Sequence, residues 1–244
     1  MIRYSQDYLI PCYDTDASRR LKPVSFMNLA QEAATSHADL LGFGYDELIK
    51  SHTAWILSRM HVIFVDPPLW REKVSLKTWH KGLNGLFFLR DFQITDSEDR
   101  LRVKATTSWL VLDLESRRLV RDPELMDADG ICTDNAVETP CDKVRIPRDV
   151  DAEHVMDHTV SYSDVDMNEH ANNAMYMHWA MDCIDYELTS SRPVKEMKIN
   201  FNHETRPGDC VSLYRSVVRR NDSIVCYVEG KVGETSAFCT EIIF

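Results

Sequence analysis

The chain has 244 residues, 44% of them hydrophobic and 27% charged, with a formal net charge of −11. This length allows one large domain or two of about 120 residues, and the composition is that of a globular protein rather than a disordered or fibrous one. The negative charge argues against a nucleic-acid partner, because duplex binding depends on neutralising phosphates. No stretch approaches the roughly 18 apolar residues of a membrane span, so no membrane association is predicted.

Seven cysteines and a polar N-terminus indicate the compartment. The first residues are too polar for the apolar core of a secretory signal. An odd number of cysteines without a CxxC pair is typical of reduced thiols that behave as small buried hydrophobes. We therefore predict a cytoplasmic protein with no cysteine-based metal site and no cofactor.

The first half of the chain predicts a long helix followed by strands. From Pro23 to Leu41 the apolar residues recur every three or four positions, as on one face of a helix, and Gly42 and Gly44 end it. A short helix is expected at about 45–51. Three segments rich in β-branched and aromatic residues then predict an antiparallel meander: KVSLKTW, GLFFLRDFQIT and LRVKATTSWLVLDL.

In the second half the same order of elements starts again. A polar segment from about Asp127 to Glu153 carries two prolines and is typical of a linker. A helix is predicted from Asn172 to Leu188, and Asn221–Asp222 predicts a hairpin turn between later strands. Those strands are EMKINFNHE, CVSLYRSVV, SIVCYVEGKV and FCTEIIF.

Two pairs of segments indicate an internal duplication. CYDTDASRRL (12–21) aligns with YSDVDMNEHA (162–171) at an offset of 150. MHVIFVDPPLWREKVSL (60–76) aligns without a gap with MKINFNHETRPGDCVSL (197–213) at an offset of 137. We therefore predict an N-terminal repeat at 1–130, a linker at 131–153 and a C-terminal repeat at 154–244.

The two copies differ at their polar positions. The second copy has Asn168, His170 and Glu204 where the first has Ser18, Arg20 and Pro67, residues that cannot perform the same roles. A proline cannot act as a base, and an arginine stays protonated. Only the second half therefore keeps a set of groups that could perform acid–base chemistry.

Asp166, Asn168 and His170 alternate along the chain just before a predicted helix. If this segment is extended, alternate side chains point to one side, so we expect these three to converge. The start of the helix offers unpaired N–H groups and a partial positive charge that can polarise a carbonyl. A histidine can activate water, and a carboxylate can orient the histidine. Acyl-transfer hydrolysis requires these parts.

Two other interpretations stay open on spacing alone. Asp and Asn before a helix are typical of turn and capping chemistry without any catalytic role. A metal site built from His170, His178 and Asp166 is disfavoured, because no HExxH or comparable spacing is present. The altered first copy favours the catalytic interpretation, since a purely structural turn has little reason to differ between repeats.

The segment SDVDMNEHANNAMYMHW resembles the D-x-N-x-H-x-N-N-x-x-Y motif of the acyl-acyl-carrier-protein (acyl-ACP) thioesterases of plants and bacteria. The resemblance extends to the YDTD segment, taken as a strand, and to WILSRMHVIFVDPPLW and INFNHETRPGD. It implies an α+β fold of two hot-dog repeats in tandem, each a long helix wrapped by an antiparallel sheet. It also implies hydrolysis of the thioester that joins a fatty acyl chain to the carrier's phosphopantetheine arm.

By motif position, the resemblance implies a catalytic set of Asp166, Asn168, His170 and Glu204. Many plant members carry a cysteine after that glutamate, but this chain has Thr205, which disfavours a thiolate nucleophile. We expect nearby backbone amides to polarise the thioester carbonyl, and residues of the first repeat, each also compatible with plain core, to line an acyl pocket. These candidates are the amides of Ala171, Asn172 and Asn173 and the side chains of Phe26, Met27, Trp55 and Met60.

The predicted partner is an acyl carrier protein with its phosphopantetheine-linked acyl chain, and a homodimer is also considered. An acidic carrier would need a local basic patch, such as Arg19–Lys22 or Arg219–Arg220, although these also fit solvated surface charge. The alternative functions are an acyl-CoA thioesterase of the hot-dog type, a hot-dog 3-hydroxyacyl dehydratase and a non-catalytic acyl-binding protein.

Overall fold

The computed structural model describes residues 3–120, 131–220 and 222–244. Within these residues no helix is both long and apolar enough to cross a membrane. The helices and strands, in chain order, are β1 (Tyr4–Leu9), α1 (Pro23–Leu40), α2 (Tyr45–Lys50), β2 (Thr53–Phe64), β3 (Lys73–Asn84), β4 (Phe87–Asp96), β5 (Leu101–Asp113), β6 (Glu153–Thr159), α3 (Asn173–Asp182), α4 (Tyr186–Ser191), β7 (Glu196–Phe201), β8 (Cys210–Arg220), β9 (Ser223–Val232) and β10 (Thr235–Ile243).

All ten strands form one antiparallel sheet in the order β1-β3-β4-β5-β2-β7-β10-β9-β8-β6. Counted outward from the β2–β7 junction, the order is β2-β5-β4-β3-β1 in the first half and β7-β10-β9-β8-β6 in the second. Each half therefore contributes five strands with the same topology. At the junction Arg59 pairs with Asn200 and Ile63 with Glu196. The two halves therefore share one continuous sheet rather than meeting only through side chains.

The long helices α1 and α3 pack against each other over one face of this sheet. A single hydrophobic cluster fills the space between helices and sheet and draws on both halves, with Phe26 and Leu76 from the first and Met177 and Phe238 from the second. Burying each such side chain contributes about 1.5–3 kcal/mol. The halves are thus joined by a common core as well as by a common sheet.

The first predicted helix is confirmed as α1, and its end shows why glycine is needed there. Gly42 has φ +79, a left-handed conformation that costs little without a Cβ. This allows the Phe43 N–H to donate to the Ala38 carbonyl at 3.1 Å, one of the carbonyls in the last turn of the helix. The short helix predicted at 45–51 is α2.

The second predicted helix, Asn172 to Leu188, is wrong as one element, because the chain breaks between α3 and α4. Arg215 of β8 donates through Nη1 to the Cys183 carbonyl at 2.9 Å and to Asp185 Oδ1 at 2.7 Å. A continuous helix would use the Cys183 carbonyl for its own hydrogen bond. The helix ends at Asp182, and Arg215 satisfies the Cys183 carbonyl that the break leaves without its helical partner.

The backbone repeats its contacts at positions that the two sequence offsets connect. The Leu21 N–H donates to the Pro68 carbonyl at 2.8 Å, and the Ala171 N–H donates to the Thr205 carbonyl at 2.9 Å. The loop that follows β2 thus contacts the segment before α1, just as the loop after β7 contacts the segment before α3. The boundaries at 130 and 153 stay a prediction.

The described part of the predicted linker, residues 131–152, lies on the sheet; we call it the strap. Its Cys132 N–H donates to the His80 carbonyl of β3 at 2.8 Å, and its Val144 N–H to Asn200 Oδ1 of β7 at 2.6 Å. The Ser216 hydroxyl of β8 donates to the Asp151 carbonyl at 3.0 Å. The strap therefore connects the halves by packing across several strands.

The predicted meander of the first half corresponds to β3, β4 and β5, and the four strands of the second half correspond to β7–β10. Strands β1, β2 and β6 were not predicted from their residue patterns. The YDTD segment is not a strand, because Cys12–Asp14 forms a turn of 3-10 helix. Asn221 of the predicted hairpin turn lies outside the described residues, and Arg220 pairs with Ser223 across it.

Candidate active site

The segment that carries the predicted catalytic set is a tight turn, not an extended strand. The Asp166 N–H donates to the His170 carbonyl at 3.0 Å, and the Glu169 N–H donates to the Asp166 carbonyl at 3.0 Å. Glu169 has φ +62, in the left-handed region. The expectation that alternate side chains converge because the segment is extended is therefore wrong, and any convergence comes from the turn.

Asp166 stabilises this turn directly. Its Oδ1 accepts the Asn168 N–H at 2.9 Å, and its Oδ2 accepts Asn172 Nδ2 at 3.1 Å. Asn172 is the residue that caps α3, accepting the Ala174 N–H at 2.9 Å, and it also donates to Gln31 of α1 at 3.2 Å. The Asp166 carboxylate thus connects the turn to the start of the helix, which is a positioning role.

Asn168 lies on the exposed side of the turn. In the part of the chain that the structure describes, its side chain makes no hydrogen bond, although its backbone N–H is held by Asp166. The side-chain amide is therefore free to contact a substrate or a water molecule.

His170 and Glu204 come together from two separate loops of the second repeat. His170 lies in the turn before α3, and Glu204 in the loop after β7. His170 Nε2 and Glu204 Oε2 are 3.5 Å apart, and the two side chains are 26% and 31% exposed. This separation is long for a hydrogen bond, but catalytic contacts often tighten only when substrate binds.

Two arginines hold the other oxygen of Glu204. Oε1 accepts Arg117 Nη2 at 3.0 Å and Arg206 Nη2 at 2.9 Å. Burial alone would raise the pKa of Glu204, but these two guanidinium groups and His170 outweigh it and hold the pKa below its usual range. Glu204 is therefore a carboxylate at neutral pH, suited to act as a base or a nucleophile and not as an acid.

Thr205 and Tyr176 fasten the Glu204 loop to α3. The Thr205 N–H donates to the Tyr176 hydroxyl oxygen at 3.0 Å, and the two hydroxyl oxygens are 3.1 Å apart. Thr205 is fully buried. The backbone N–H and the hydroxyl of Thr205 thus both contact Tyr176 inside the protein. This agrees with the expectation that the residue after Glu204 is not a nucleophile here. Tyr176 is the tyrosine of the sequence motif, and its supporting role was not predicted.

Only one of the three predicted carbonyl-polarising amides is available. The Ala171 N–H donates to the Thr205 carbonyl at 2.9 Å, and the Asn172 N–H to the Asp164 carbonyl at 2.8 Å. These two amides are therefore occupied, and the prediction for them is wrong. Among the described residues the Asn173 N–H has no hydrogen-bond partner. It is the first amide of α3, where the helix dipole favours negative charge.

An apolar cleft begins at this helix start and runs between α1 and the sheet of the first repeat. It is small and partly open to solvent. Its lining comes from both repeats and consists of Met27, Ala30, Gln31, Leu57, Met60, Phe92, Thr107, Trp109, Asn173 and Ala174. The cleft therefore reaches from the free amide of Asn173 into the first repeat.

Two of the four predicted pocket residues, Met27 and Met60, line this cleft. Phe26 does not, because it is fully buried and packs edge-on against Phe64, with ring centroids 6.0 Å apart. Trp55 belongs to a second cluster, where its indole N–H donates to the Phe43 carbonyl at 3.0 Å. Phe26 is therefore a core residue, and Trp55 is a partly buried residue that packs against the core. Sequence reasoning missed Trp109, an aromatic on the inner face of β5.

No metal site is found among residues 3–120, 131–220 and 222–244, since no three His, Cys, Asp or Glu side chains there lie close enough together. His178 instead faces Asp182 one turn along α3, with Nε2 and Oδ2 3.7 Å apart. The arrangement of His170 and Glu204 beside a free amide and an apolar cleft can bind an acyl group, polarise its carbonyl and deliver water or a carboxylate to it.

Two family models match this chain. The model of the acyl-ACP thioesterase N-terminal domain matches residues 2–128, and that of the acyl-ACP thioesterase C-terminal domain matches residues 148–240. Together they cover most of the chain, including both turns, both long helices and the Glu204 loop.

Curated relatives include plant enzymes. An oleoyl-ACP thioesterase of Coriandrum sativum is 24% identical over 97% of this chain and 68% of its own length. A palmitoyl-ACP thioesterase of Gossypium hirsutum is 28% identical over 82% of this chain and 52% of its own length. The chain thus spans between half and about two thirds of these relatives, both of which are named chloroplastic.

Solved structures show the same fold. A 12:0-ACP thioesterase from Umbellularia californica has a TM-score of 0.88 at 20% identity, over 99% of this chain and 93% of the other. An acyl-ACP thioesterase from Bacteroides thetaiotaomicron has a TM-score of 0.81 at 23% identity, over 99% and 97%. The predicted tandem hot-dog fold of the α+β class is confirmed.

Proposed function

The chain belongs to the acyl-ACP thioesterase family, and we propose that it releases free fatty acid from acyl-ACP by hydrolysing the thioester. The observation that carries this proposal is the His170–Glu204 pair beside the free amide of Asn173. The second repeat supplies the chemistry, and the cleft lined by Met27 and Met60 of the first repeat takes the acyl chain.

Glu204 begins the reaction as a carboxylate with Oε2 turned toward His170. In one version, His170 and Glu204 remove a proton from a water molecule whose oxygen attacks the thioester carbon. In the other version, Glu204 Oε2 attacks that carbon directly, and water later hydrolyses the resulting anhydride. In both, the C–S bond breaks and the phosphopantetheine thiol leaves with a proton from His170. In the first version this proton comes from the attacking water; in the second, His170 must carry it at the start and regains one from the water that hydrolyses the anhydride.

The Asn173 N–H is the donor that we assign to the thioester oxygen, which becomes negative as the carbon is attacked. A backbone amide at a helix start is fixed before the reaction and costs no reorganisation. Asn168, with its free side chain, positions the substrate or the water. Asp166 acts through the turn that carries His170 and through Asn172.

The proposed partner is an acyl carrier protein, in agreement with the substrates in the names of the relatives. Fatty acid biosynthesis is the process in which such a substrate arises. The cytoplasmic location and the homodimer remain predictions, and the names of the plant relatives place those proteins in the chloroplast.

The test is release of free thiol by the purified protein from acyl-ACPs of several chain lengths, with the matching acyl-CoAs as controls. We expect thiol release from acyl-ACP and its loss in Glu204→Gln. Release from acyl-CoA alone would contradict the choice of carrier, and loss of water from 3-hydroxyacyl-ACP without thiol release would contradict hydrolysis. A covalent acyl-enzyme trapped on Glu204 would favour direct attack over activation of water.

A further inference from the structure

Two strands of the first repeat extend beyond the shared sheet. Strand β2 spans Thr53–Phe64, but it pairs with β7 only from Arg59 to Ile63. Its earlier residues pair with the end of β5, from Thr53 with Asp113 to Leu57 with Trp109. The register shifts between Leu57 and Arg59, and such a bulge bends and twists a strand. The first repeat thus projects a two-stranded extension next to the place where the chain leaves β7.

The end of this extension is a rigid turn at residues 113–118, which we call the β5 turn. The Asp113 N–H donates to the Arg118 carbonyl at 2.9 Å, and the Arg117 N–H donates to the Asp113 carbonyl at 2.9 Å. Asp113 Oδ1 accepts the Ser116 N–H at 2.6 Å. Arg117 itself has φ +56. The backbone below the Arg117 side chain is therefore fixed by several hydrogen bonds.

From this turn Arg117 reaches the Glu204 carboxylate of the other repeat. Both arginines contact Oε1, whereas His170 faces Oε2. Arg206 is in the same loop as Glu204 and moves with it, but Arg117 is anchored in the first repeat. Of the two arginines, Arg117 therefore connects Glu204 to the first repeat, which supplies most of the cleft lining.

We propose that Arg117 is a positioning residue for the reaction, supplied by the first repeat to hold Oε1 of Glu204 so that Oε2 faces His170 and the thioester carbon. This inference rests on the proposed function and assigns to it a residue outside the sequence motif. It requires that the two repeats cooperate in one site, since neither repeat alone contains both Arg117 and Glu204.

The carboxylate that Arg117 contacts has no counterpart at the equivalent position of the first repeat. At the position equivalent to Glu204, the first repeat has Pro67, which offers no carboxylate to hold. The extension is therefore matched to the one site that retains a carboxylate.

The test compares the pH dependence of acyl-ACP hydrolysis in wild type, Arg117→Gln, Arg117→Lys and Arg118→Gln. Arg118 is the matched control, because it lies exposed in the same turn and its loss changes the net charge equally. The charged or titratable groups that face Glu204 are Arg117, Arg206 and His170, with the Tyr176 hydroxyl nearby. Loss of one guanidinium raises the pKa of Glu204, so the acidic limb of kcat/KM moves to higher pH.

For Arg117→Gln we expect kcat to fall about fivefold, with KM unchanged and the acidic limb moved up by about half a pH unit, because exposed ion pairs contribute about 1 kcal/mol or less. Arg117→Lys keeps the charge and should restore the acidic limb, which makes the result interpretable even if glutamine lowers the melting temperature. Arg118→Gln should match wild type.

The proposal is overturned if Arg117→Gln behaves as Arg118→Gln does, or if KM alone rises, which would make Arg117 a substrate-binding residue. Failure of the proposed function is separate, because it would appear as wild-type protein that releases no thiol from acyl-ACP.

Discussion

The two turns that precede the long helices share a backbone and differ in chemistry. In the first, the Asp16 N–H donates to the Arg20 carbonyl at 2.8 Å, and Asp16 Oδ1 accepts the Ser18 N–H at 2.8 Å. Arg19 has φ +66. The turn at Asp166 repeats each of these features. The aspartates at 16 and 166 therefore stabilise the duplicated turn, and the difference in function must come from other positions.

Those other positions are few. Arg20 turns back to Asp16, with Nε and Oδ2 3.0 Å apart, whereas His170 faces Glu204. At the first position of the helix, Pro23 has no N–H, whereas Asn173 keeps a free one. The two repeats thus share a backbone and differ in a few side chains and one backbone N–H. We assign the difference in chemistry between them to these positions.

The largest effect is expected from exchanging the equivalent turn residues for glutamine. His170→Gln should lower kcat for acyl-ACP by about 10²–10⁴, the usual contribution of one general acid–base group. Arg20→Gln should leave kcat unchanged, because among the described residues the side chain of Arg20 contacts Asp16 and the carbonyls of Thr189 and Ser190, which lie outside the proposed site. Steady-state thiol release measures both variants. Equal losses in the two would mean that the histidine acts through the turn.

A second experiment replaces the first residue of α3, Asn173, by proline, the residue that begins α1. Asn173→Pro removes the free N–H, and proline fits the first position of a helix. Asn172 already has φ −59 and ψ 143, which suits a residue before proline. If this amide stabilises the oxyanion, kcat should fall by about 10²–10³.

Asn173→Ala is the control for this experiment, because alanine keeps the N–H. It should retain most activity, and circular dichroism should show both variants folded. If the two variants lose activity equally, the side chain of Asn173 matters and the amide does not.

The smallest effect should come from the shared aspartates. Asp16→Ala and Asp166→Ala each remove acceptors for the turn, at a cost of about 1 kcal/mol, so the melting temperature should fall by about 2–4 °C in each. Asp166→Ala should also lose less than about tenfold in kcat, because a role through the turn costs less than loss of an acid–base group. Asp166→Asn should recover only part of that kcat, since its amide oxygen still accepts the Asn168 N–H but its amide nitrogen cannot accept from Asn172 Nδ2. A loss as large as that of His170→Gln would give Asp166 a direct part in the chemistry.

The repeated order of elements and most of the strands could be predicted from periodicity and from the two sequence offsets. The break between α3 and α4 could not, because the residue that contacts it, Arg215, is remote in sequence. The tight turn at Asp166 was missed because an alternating pattern of polar residues is equally compatible with a strand and with a turn closed by its own aspartate.

The comparison of the repeats pointed to His170 and Glu204, which the structure brings together. It could not identify Arg117, whose relevance depends on how far β2 and β5 extend beyond β7. Nor could it separate the free amide of Asn173 from those of Ala171 and Asn172. That distinction depends on acceptors supplied by Thr205 and Asp164, which the local sequence does not reveal.

The pairing of β2 with β7 also explains why the two sites were able to diverge. A single half would leave this strand as an edge, with a row of unpaired N–H and C=O groups that attracts another strand. Two identical halves would satisfy each other by forming a symmetric dimer, and every substitution would then appear in both sites at once. Joining the halves in one chain removes that constraint, so one site can be lost to shape a pocket while the other keeps its chemistry.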